Sequence, residues 1–93
     1  MYASIWRFRG DPDDLQRRYD AVLTAVPASN MRLHFCFPIP DGLVVVDTCP
    51  SREVFAGFIS GPFAELLEQH GLPQPSIEDG PVHRAFVDGA ERP

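Results

Sequence analysis

Signals for strands and helices alternate along this chain in a single order, and that order limits the folds open to it. An aromatic and β-branched run from Tyr2 to Arg9 predicts a first strand. Asp11 and Pro12 then suit the N-cap and the first turn of a helix, whose apolar stripe continues until Pro27. A helix therefore follows the first strand directly.

The middle of the chain predicts a hairpin. Residues 32–39 alternate in character, and residues 43–48 begin with four apolar residues, as expected for two strands of which the second is central. Pro40-Asp41-Gly42 lies between them, and proline and glycine are typical turn residues. The second and third strands are therefore neighbours in the sheet.

A second helix and a last strand complete the pattern. Ser51 is a suitable N-cap, and Gly71 is a suitable C-terminal residue of the helix. Ser60-Gly61-Pro62 falls between these limits, and we expect the helix to kink or break there because proline cannot donate its backbone hydrogen bond. Residues 82–87 predict the fourth strand.

This order of elements specifies a fold. Ninety-three residues fill one domain, which we assign to residues 1–88, with residues 89–93 as a polar C-terminal tail that frays. Strand-helix-strand-strand-helix-strand is the ferredoxin-like topology, an α+β fold with a four-stranded antiparallel sheet. Right-handed crossovers place both helices on one face of that sheet, so the other face needs a different cover.

Composition narrows the classes of partner and chemistry. A net charge of −5 argues against nucleic acid and anionic membranes as partners, and no apolar run is long enough for a membrane span. The N-terminus lacks the basic start of a secretory signal, and Cys36 and Cys49 form no Cys-x-x-Cys pair, so we expect a cytoplasmic protein. The chain has no lysine, which excludes Schiff-base chemistry.

Local segments add a family resemblance to the order of elements. They are Trp6-Arg7-Phe8, Val44-Val45-Val46-Asp47-Thr48, Ser60-Gly61-Pro62-Phe63 and Leu66-Leu67-Glu68-Gln69-His70-Gly71. With these segments the chain resembles the dimeric α/β-barrel superfamily, which includes antibiotic-biosynthesis monooxygenases, muconolactone isomerases, chlorite-dismutase relatives, stress-responsive barrel proteins and small polyketide cyclases. The resemblance implies a homodimer in which two sheets pack face to face around a central cavity. It implies no cofactor, although haem ligation by a lone histidine, known in some members, stays open.

The alternation of the second strand divides its side chains between two faces. We expect Leu33, Phe35 and Phe37 to face the helices because that side needs the larger apolar load. His34 and Cys36 then point to the opposite face, toward the expected cavity.

The hairpin register decides which side chains of the third strand join them. A two-residue loop at Asp41-Gly42 places Cys36 opposite Asp47 and His34 opposite Cys49. A three-residue loop would exchange the faces of the third strand. We prefer the first register because burial of Asp47 beneath two apolar helices would be costly without a partner.

The residues expected around the cavity are few. His34 with Asp47 can form a proton-transfer pair, and the alternative is a polar strand residue at a dimer interface or rim. Trp6 can stack on a planar substrate or simply pack, and the choice between His83 and Arg84 on the fourth strand is open. The predicted catalytic residues are His34, Asp47 and His83, and the predicted substrate-binding residues are Tyr2, Ser4, Trp6, Cys36 and Arg84.

Two classes of function follow. In the first, the chain is a cofactor-independent tailoring enzyme of secondary or aromatic metabolism, similar to the monooxygenases, cyclases or isomerases, which binds a hydrophobic small molecule in the cavity. In the second, it is a non-catalytic ligand-binding or dimerisation module. A roomy pocket with polar groups would favour the enzyme, and a pocket filled by side chains would favour the module.

Overall fold

The computed structural model describes residues 1–27 and 32–92. Its elements, in chain order, are β1 (Tyr2–Arg9), α1 (Pro12–Leu23), β2 (His34–Ile39), β3 (Gly42–Cys49), α2 (Arg52–Ser60), α3 (Pro62–Gln69), β4 (Ser76–Pro81), β5 (Ala85–Val87) and β6 (Ala90–Arg92). The first four strands form an antiparallel sheet in the order β2-β3-β1-β4, and β5 pairs with β6. The sheet and the helices confirm the predicted ferredoxin-like α+β fold.

The predicted start of the first helix and the predicted break in the second are both observed. The backbone N–H of Asp14 donates to the Asp11 side chain at 3.0 Å, which satisfies one free donor at the start of α1. The helix ends at Leu23, earlier than Pro27 suggested. The break in the second predicted helix is confirmed, because α2 ends at Ser60 and α3 begins at Pro62.

Gly61 makes the break between α2 and α3 possible. Its Cα lies so close to the preceding helix that a Cβ at this position would be 2.6 Å from the carbonyl oxygen of Gly57. Gly61 is therefore needed because no side chain fits between it and the Gly57 carbonyl oxygen. This close approach determines the angle between α2 and α3.

The hairpin register differs from the predicted one by two residues. Ile39 pairs with Gly42, so the loop is Pro40-Asp41, and His34 lies directly opposite Asp47. A shift of two residues keeps every side chain on its face, so the predicted groups stay together. Gly42 is required for another reason than the turn, since a Cβ there would lie 2.0 Å from the carbonyl oxygen of Phe8 on β1.

The predicted sides of the sheet are reversed. The face that carries Tyr2, Ser4 and Trp6, together with His34 and Asp47, lies beneath the helices. The prediction rested on the apolar load of β2 and on the cost of burying Asp47 beneath the helices. In the folded protein, the aromatic side chains of β1 pack against aromatic side chains of the helices, and this larger load decides the side.

The aromatic contacts between β1 and the helices form the centre of the core. They are Tyr2 with Phe55 at 5.5 Å between ring centroids, Trp6 with Phe63 at 5.5 Å, Trp6 with Phe55 at 6.3 Å and Phe8 with Tyr19 at 6.2 Å. Such pairs add to the free energy gained by burying their large apolar surfaces. Leu15, Val22, Leu43 and Val45 complete this core.

On the opposite face of the sheet, the large apolar side chains of β2 and of Leu33 before it are exposed. Phe35 and Phe37 stack on each other at 6.4 Å and are 47% and 43% exposed, and Leu33 is 39% exposed. Val44 and Val46 lie beside them on β3. We call these five residues the open face.

The C-terminal prediction is wrong in two respects. The fourth strand of the sheet is Ser76–Pro81, whereas residues 82–84 leave the sheet and Ala85–Val87 belongs to a separate hairpin. The expected frayed tail instead contains β6, joined to β5 by Asp88 and Gly89 with φ of 52° and 79°. Positive φ at both positions is the geometry of a tight two-residue hairpin turn, which Asp-Gly favours.

Each outer strand of the sheet contains a proline. Pro38 lies in β2 and Pro81 ends β4, and these two strands are the edges of the sheet. Proline is tolerated there because an edge strand needs backbone donors on one side only.

The space at Gly61 generates a prediction. Gly61→Ala should lower the free energy of unfolding by about 1–3 kcal/mol, since the new methyl group would overlap the Gly57 carbonyl oxygen and displace α3. Urea unfolding followed by circular dichroism measures this change. Gly57→Ala is the matched control, because nothing lies within 4 Å of a Cβ there, and alanine should stabilise α2 by about 0.5–1 kcal/mol. Equal effects of the two substitutions would contradict the close approach.

Candidate functional site

A small cavity lies between the helices and the covered face of the sheet. Its volume is about 40 Å³. The lining residues come from β1, β2, β3 and all three helices, with one residue that follows α1: Trp6, Phe8, Tyr19, Val26, His34, Val45, Asp47, Phe58 and Phe63. The wall is therefore mostly aromatic, and its polar groups come chiefly from Tyr19, His34 and Asp47.

These three polar side chains form one hydrogen-bonded row. His34 Nδ1 and Asp47 Oδ1 are 3.0 Å apart, and His34 Nε2 and the Tyr19 hydroxyl oxygen are 3.2 Å apart. The Tyr19 and His34 rings lie nearly parallel, with centroids 6.0 Å apart. A helix residue, an edge-strand residue and a central-strand residue thus meet at one point of the cavity wall.

The hydrogen bonds assign the histidine tautomer. A carboxylate can only accept, so His34 donates through Nδ1–H to Asp47. In the neutral ring, His34 Nε2 then carries a lone pair, which accepts the hydrogen of the Tyr19 hydroxyl. In this arrangement Nε2 is the basic atom of the row, and Asp47 is placed to stabilise the imidazolium that forms when Nε2 takes up a proton.

Burial keeps the proton on Tyr19. Tyr19 is 1% exposed, and this desolvation raises the pKa of its hydroxyl far above the ordinary value of 10.0. Cys36 and Asp47 act in the same direction through charge. At neutral pH Tyr19 is therefore a hydrogen-bond donor and not an anion.

Trp6 forms the opposite part of the wall. Its indole Nε1–H donates to the hydroxyl oxygen of Ser4 at 2.8 Å, and its ring meets Phe63 edge to face. Ser4 lies two residues before Trp6 on the same face of β1 and directly opposite Asp47 on β3. The hydrogen bond and the aromatic contact together hold the indole in one position.

The structure brings three of the predicted site residues together. His34, Asp47 and Trp6 all line the cavity, although on the helix side of the sheet and not on the side expected. Ser4 is buried behind Trp6 and supports it. Asp47 is tolerated beneath the helices because His34 is its hydrogen-bond partner. The sequence alone did not show that Asp47 would have such a partner on the helix side.

The other predicted residues lie elsewhere. Tyr2 is buried against Phe55 and donates its hydroxyl hydrogen to Asp79. Cys36 shares the face of His34 but is exposed near the sheet edge. Its thiol pKa is raised, mainly by partial desolvation.

His83 and Arg84 are exposed in the segment between β4 and β5, away from the cavity lining. Arg84 binds Glu91 of β6 through two donors, at 2.8 and 3.2 Å, and lies over the ring of Phe86. The sequence left open whether His83 or Arg84 faces the cavity. Neither does, since neither belongs to a strand of the main sheet.

Sequence reasoning missed Tyr19 as a site residue. It belongs to the apolar stripe of α1 with Leu15 and Val22, and a tyrosine in such a stripe is most often part of the core. The available signal was its hydroxyl, which needs a polar partner once buried. The missed aromatic residues Phe58 and Phe63 flank Gly61, so the break between α2 and α3 lies over the cavity.

The described part of the chain offers neither a cluster of metal ligands nor a helix that could span a membrane. Its residues form no group of three or more histidine, cysteine, aspartate or glutamate side chains that could hold a metal ion. Both ring nitrogens of His34 are engaged, so an iron ligated by Nε2 would have to displace Tyr19. None of the helices in residues 1–27 and 32–92 is long and apolar enough to cross a membrane.

Solved structures share this arrangement of strands and helices. NE2512, a protein of unknown function from Nitrosomonas europaea, matches with a TM-score of 0.68 and 20% identity over 92% of this chain and 92% of its own. Rv0793 from Mycobacterium tuberculosis matches with a TM-score of 0.68 and 22% identity over 91% and 98%. A proposed antibiotic biosynthesis monooxygenase from Deinococcus radiodurans matches with a TM-score of 0.64 and 9% identity over 94% and 97%.

The chain has the fold of these proteins. The ferredoxin-like fold, predicted from the order of elements, is thereby confirmed. No protein-family model matches the sequence, and no curated protein matches it. At these identities the likeness establishes architecture alone, so the function has to be argued from the cavity.

The buried hydroxyl of Tyr19 generates a prediction about stability at high pH. The unfolded chain loses the Tyr19 proton near pH 10, whereas the folded protein keeps it, so the contribution of Tyr19 is complete below pH 10 and is lost as the pH rises toward the folded value. Above pH 10, the free energy of unfolding should therefore fall by up to about 1.4 kcal/mol per pH unit more in the natural protein than in Tyr19→Phe.

Urea unfolding at several alkaline pH values measures this slope. The chain has two tyrosines, so Tyr2→Phe leaves Tyr19 as the only source of tyrosinate absorbance and reports its titration directly. No lysine titrates in the same range. Equal pH slopes in the natural protein and in Tyr19→Phe would refute the assignment.

Proposed function

We propose that this protein is a cofactor-independent enzyme that moves a proton on a hydrophobic, planar small molecule, in the manner of an oxygenase, cyclase or isomerase. The observation that carries the proposal is the row Asp47–His34–Tyr19, which ends at the wall of an otherwise aromatic cavity. A basic imidazole with an oriented carboxylate and a neutral phenol is suited to general acid–base catalysis.

The proposed step uses each member of the row once. His34 Nε2 takes a proton from an acidic C–H of the substrate, so that this C–H bond breaks, an N–H bond forms and the electron pair stays on the substrate as an enolate. Asp47 stabilises the imidazolium through Nδ1–H. Tyr19, released from Nε2 and still protonated, donates a hydrogen bond to the enolate oxygen.

The cavity wall supports the choice of substrate class. Trp6, Phe58 and Phe63 present aromatic surfaces to one another at edge-to-face angles, and a flat aromatic ring can pack against such surfaces. The enolate formed from a fused-ring ketone can then react with oxygen, close a ring or be reprotonated elsewhere.

One observation favours the alternative, a non-catalytic ligand-binding or dimerisation module. The cavity of about 40 Å³ is far below the volume of roughly 150 Å³ in which an apolar cavity binds benzene. A substrate therefore has to displace part of the wall. The paired Asp47 and His34 weigh more heavily, because a module has no need for a hydrogen-bonded polar row beneath its helices.

The same proposal includes a homodimer formed through the open face. Leu33, Phe35 and Phe37 expose apolar surface on one side of a small domain, and such a patch marks an interaction surface. The ion pair of Arg7 with Glu78 lies at the other side of this face and would form a polar rim. Two copies related by a two-fold axis would cover each other's phenylalanines.

Replacement of His34 tests the catalytic proposal. His34→Gln keeps a similar size and hydrogen-bonding capacity but cannot take up the proton, so catalysed exchange should fall roughly 100-fold or more while the fold is kept. The probe is anthrone, a tricyclic ketone with an acidic methylene group. Its exchange with deuterated water, measured by NMR without oxygen, reports proton abstraction, and oxygen uptake in air reports the oxygenase outcome.

His70→Gln is the control, because His70 ends α3 and does not line the cavity. It should exchange anthrone at the natural rate. A natural protein no faster than buffer, or a His34→Gln variant as fast as the natural protein, would remove the catalytic proposal and leave the module.

Replacement of Phe35 tests the homodimer. The natural protein should scatter light as two chains, and Phe35→Glu should scatter as one folded chain, since it places a charge in the apolar interface. Val54→Glu is the matched control, because Val54 is similarly exposed, at 41%, but lies on α2. A single-chain mass for the natural protein at micromolar concentration would exclude this interface.

A further inference from the structure

A second concavity lies on the other side of Trp6. It has a volume of about 350 Å³ and runs between α2, α3 and β4. Its lining combines apolar side chains, among them Ile59, Ala64, Leu72 and Ile77, with the polar side chains of Glu68 and Gln74. We call this concavity the outer groove; its size is within the range of roughly 300–1,000 Å³ typical of small-molecule sites.

Trp6 is the residue that the described linings of the cavity and the outer groove share. The two helices that flank Gly61 contribute to both sides, since Phe58 and Phe63 line the cavity, whereas the next residues, Ile59 and Ala64, line the outer groove. Trp6 thus borders both spaces beneath the helix break.

The position of this indole is held by few polar contacts. Its Nε1–H has Ser4 Oγ as its partner, at 2.8 Å, and its remaining neighbours, among them Phe55 and Phe63, contact the ring edge to face. A ligand that displaces the indole would break this hydrogen bond and the ring contacts with Phe55 and Phe63, and it would connect the two spaces that Trp6 borders. The joined space holds the polar row at one end and the apolar wall of Leu72 and Ile77 at the other.

We propose that the outer groove binds an apolar extension of the substrate, and that the substrate lies across the place of Trp6 with its hydroxylated or ketone ring against the Tyr19–His34–Asp47 row. The inference rests on the proposed function and specifies its substrate as a two-part molecule, a polar ring that carries an alkyl chain or further rings. The cavity alone cannot hold such a ring, and the outer groove alone offers no base.

A matched pair of probes tests this inference. Resorcinol and 4-hexylresorcinol share one hydroxylated ring and differ in an alkyl chain. The hexyl compound should bind roughly tenfold tighter or more, because its chain leaves water for the outer groove. Trp6 is the single tryptophan, so its fluorescence reports both the affinity and a displacement of the indole, and the emission should change with the hexyl compound.

Ala64→Leu should fill the outer groove from α3 without entering the cavity lining. It should weaken 4-hexylresorcinol binding to the level of resorcinol and leave resorcinol binding unchanged. Ala56→Leu makes the same change on the exposed surface of α2, outside both linings, and should bind both probes like the natural protein.

The outcomes separate the outer groove from the catalytic proposal. If Ala64→Leu binds 4-hexylresorcinol as tightly as the natural protein does, or if Trp6 emission does not respond to it, the inference is overturned. Loss of anthrone exchange in His34→Gln would still support the proposed function in that case. Weakened hexylresorcinol binding in Ala64→Leu, with full exchange in His34→Gln, would support the outer groove and overturn the catalytic role.

Discussion

The arrangement of this protein depends on the hydrogen bond between His34 and Asp47. An ionisable residue on a central strand beneath apolar helices would destabilise the fold if it had no partner. His34 supplies that partner from the neighbouring strand, 3.0 Å away, and Tyr19 occupies its other ring nitrogen from α1. With these groups satisfied, the aromatic residues of β1 can face the helices, and a reactive row is retained inside the core.

The order of elements could be predicted well because each signal is local. Asp11 caps α1, and Gly61 with Pro62 separates α2 from α3. Both effects depend on neighbouring residues only and not on contacts with distant segments. The last strand could not be placed in this way. Residues 76–81 include a glycine and a proline, which are typical of turns, yet they pair with β1, because an edge strand tolerates both residues once a neighbouring strand offers hydrogen bonds.

The sequence predicted which strand residues of the candidate site lie together, but it did not predict on which side of the sheet they lie. Alternation along the strands correctly kept His34, Asp47 and Trp6 on one face, since parity survives a register shift of two residues. Which face the helices cover depends on the summed packing of β1 against Phe55 and Phe63, a contact between segments far apart in sequence. Tyr19 could not be recognised for the same reason, because its partner lies on another element.

The prolines of the two outer strands have a consequence for assembly. Pro38 and Pro81 each remove a backbone donor from an edge of the sheet, so neither edge offers an unbroken ladder to an added strand. Sideways growth into continuous multi-chain sheets, the route that leads to fibrils, is thereby obstructed at both ends. A small protein can therefore carry the apolar surface of the open face without offering its strand edges for polymerisation.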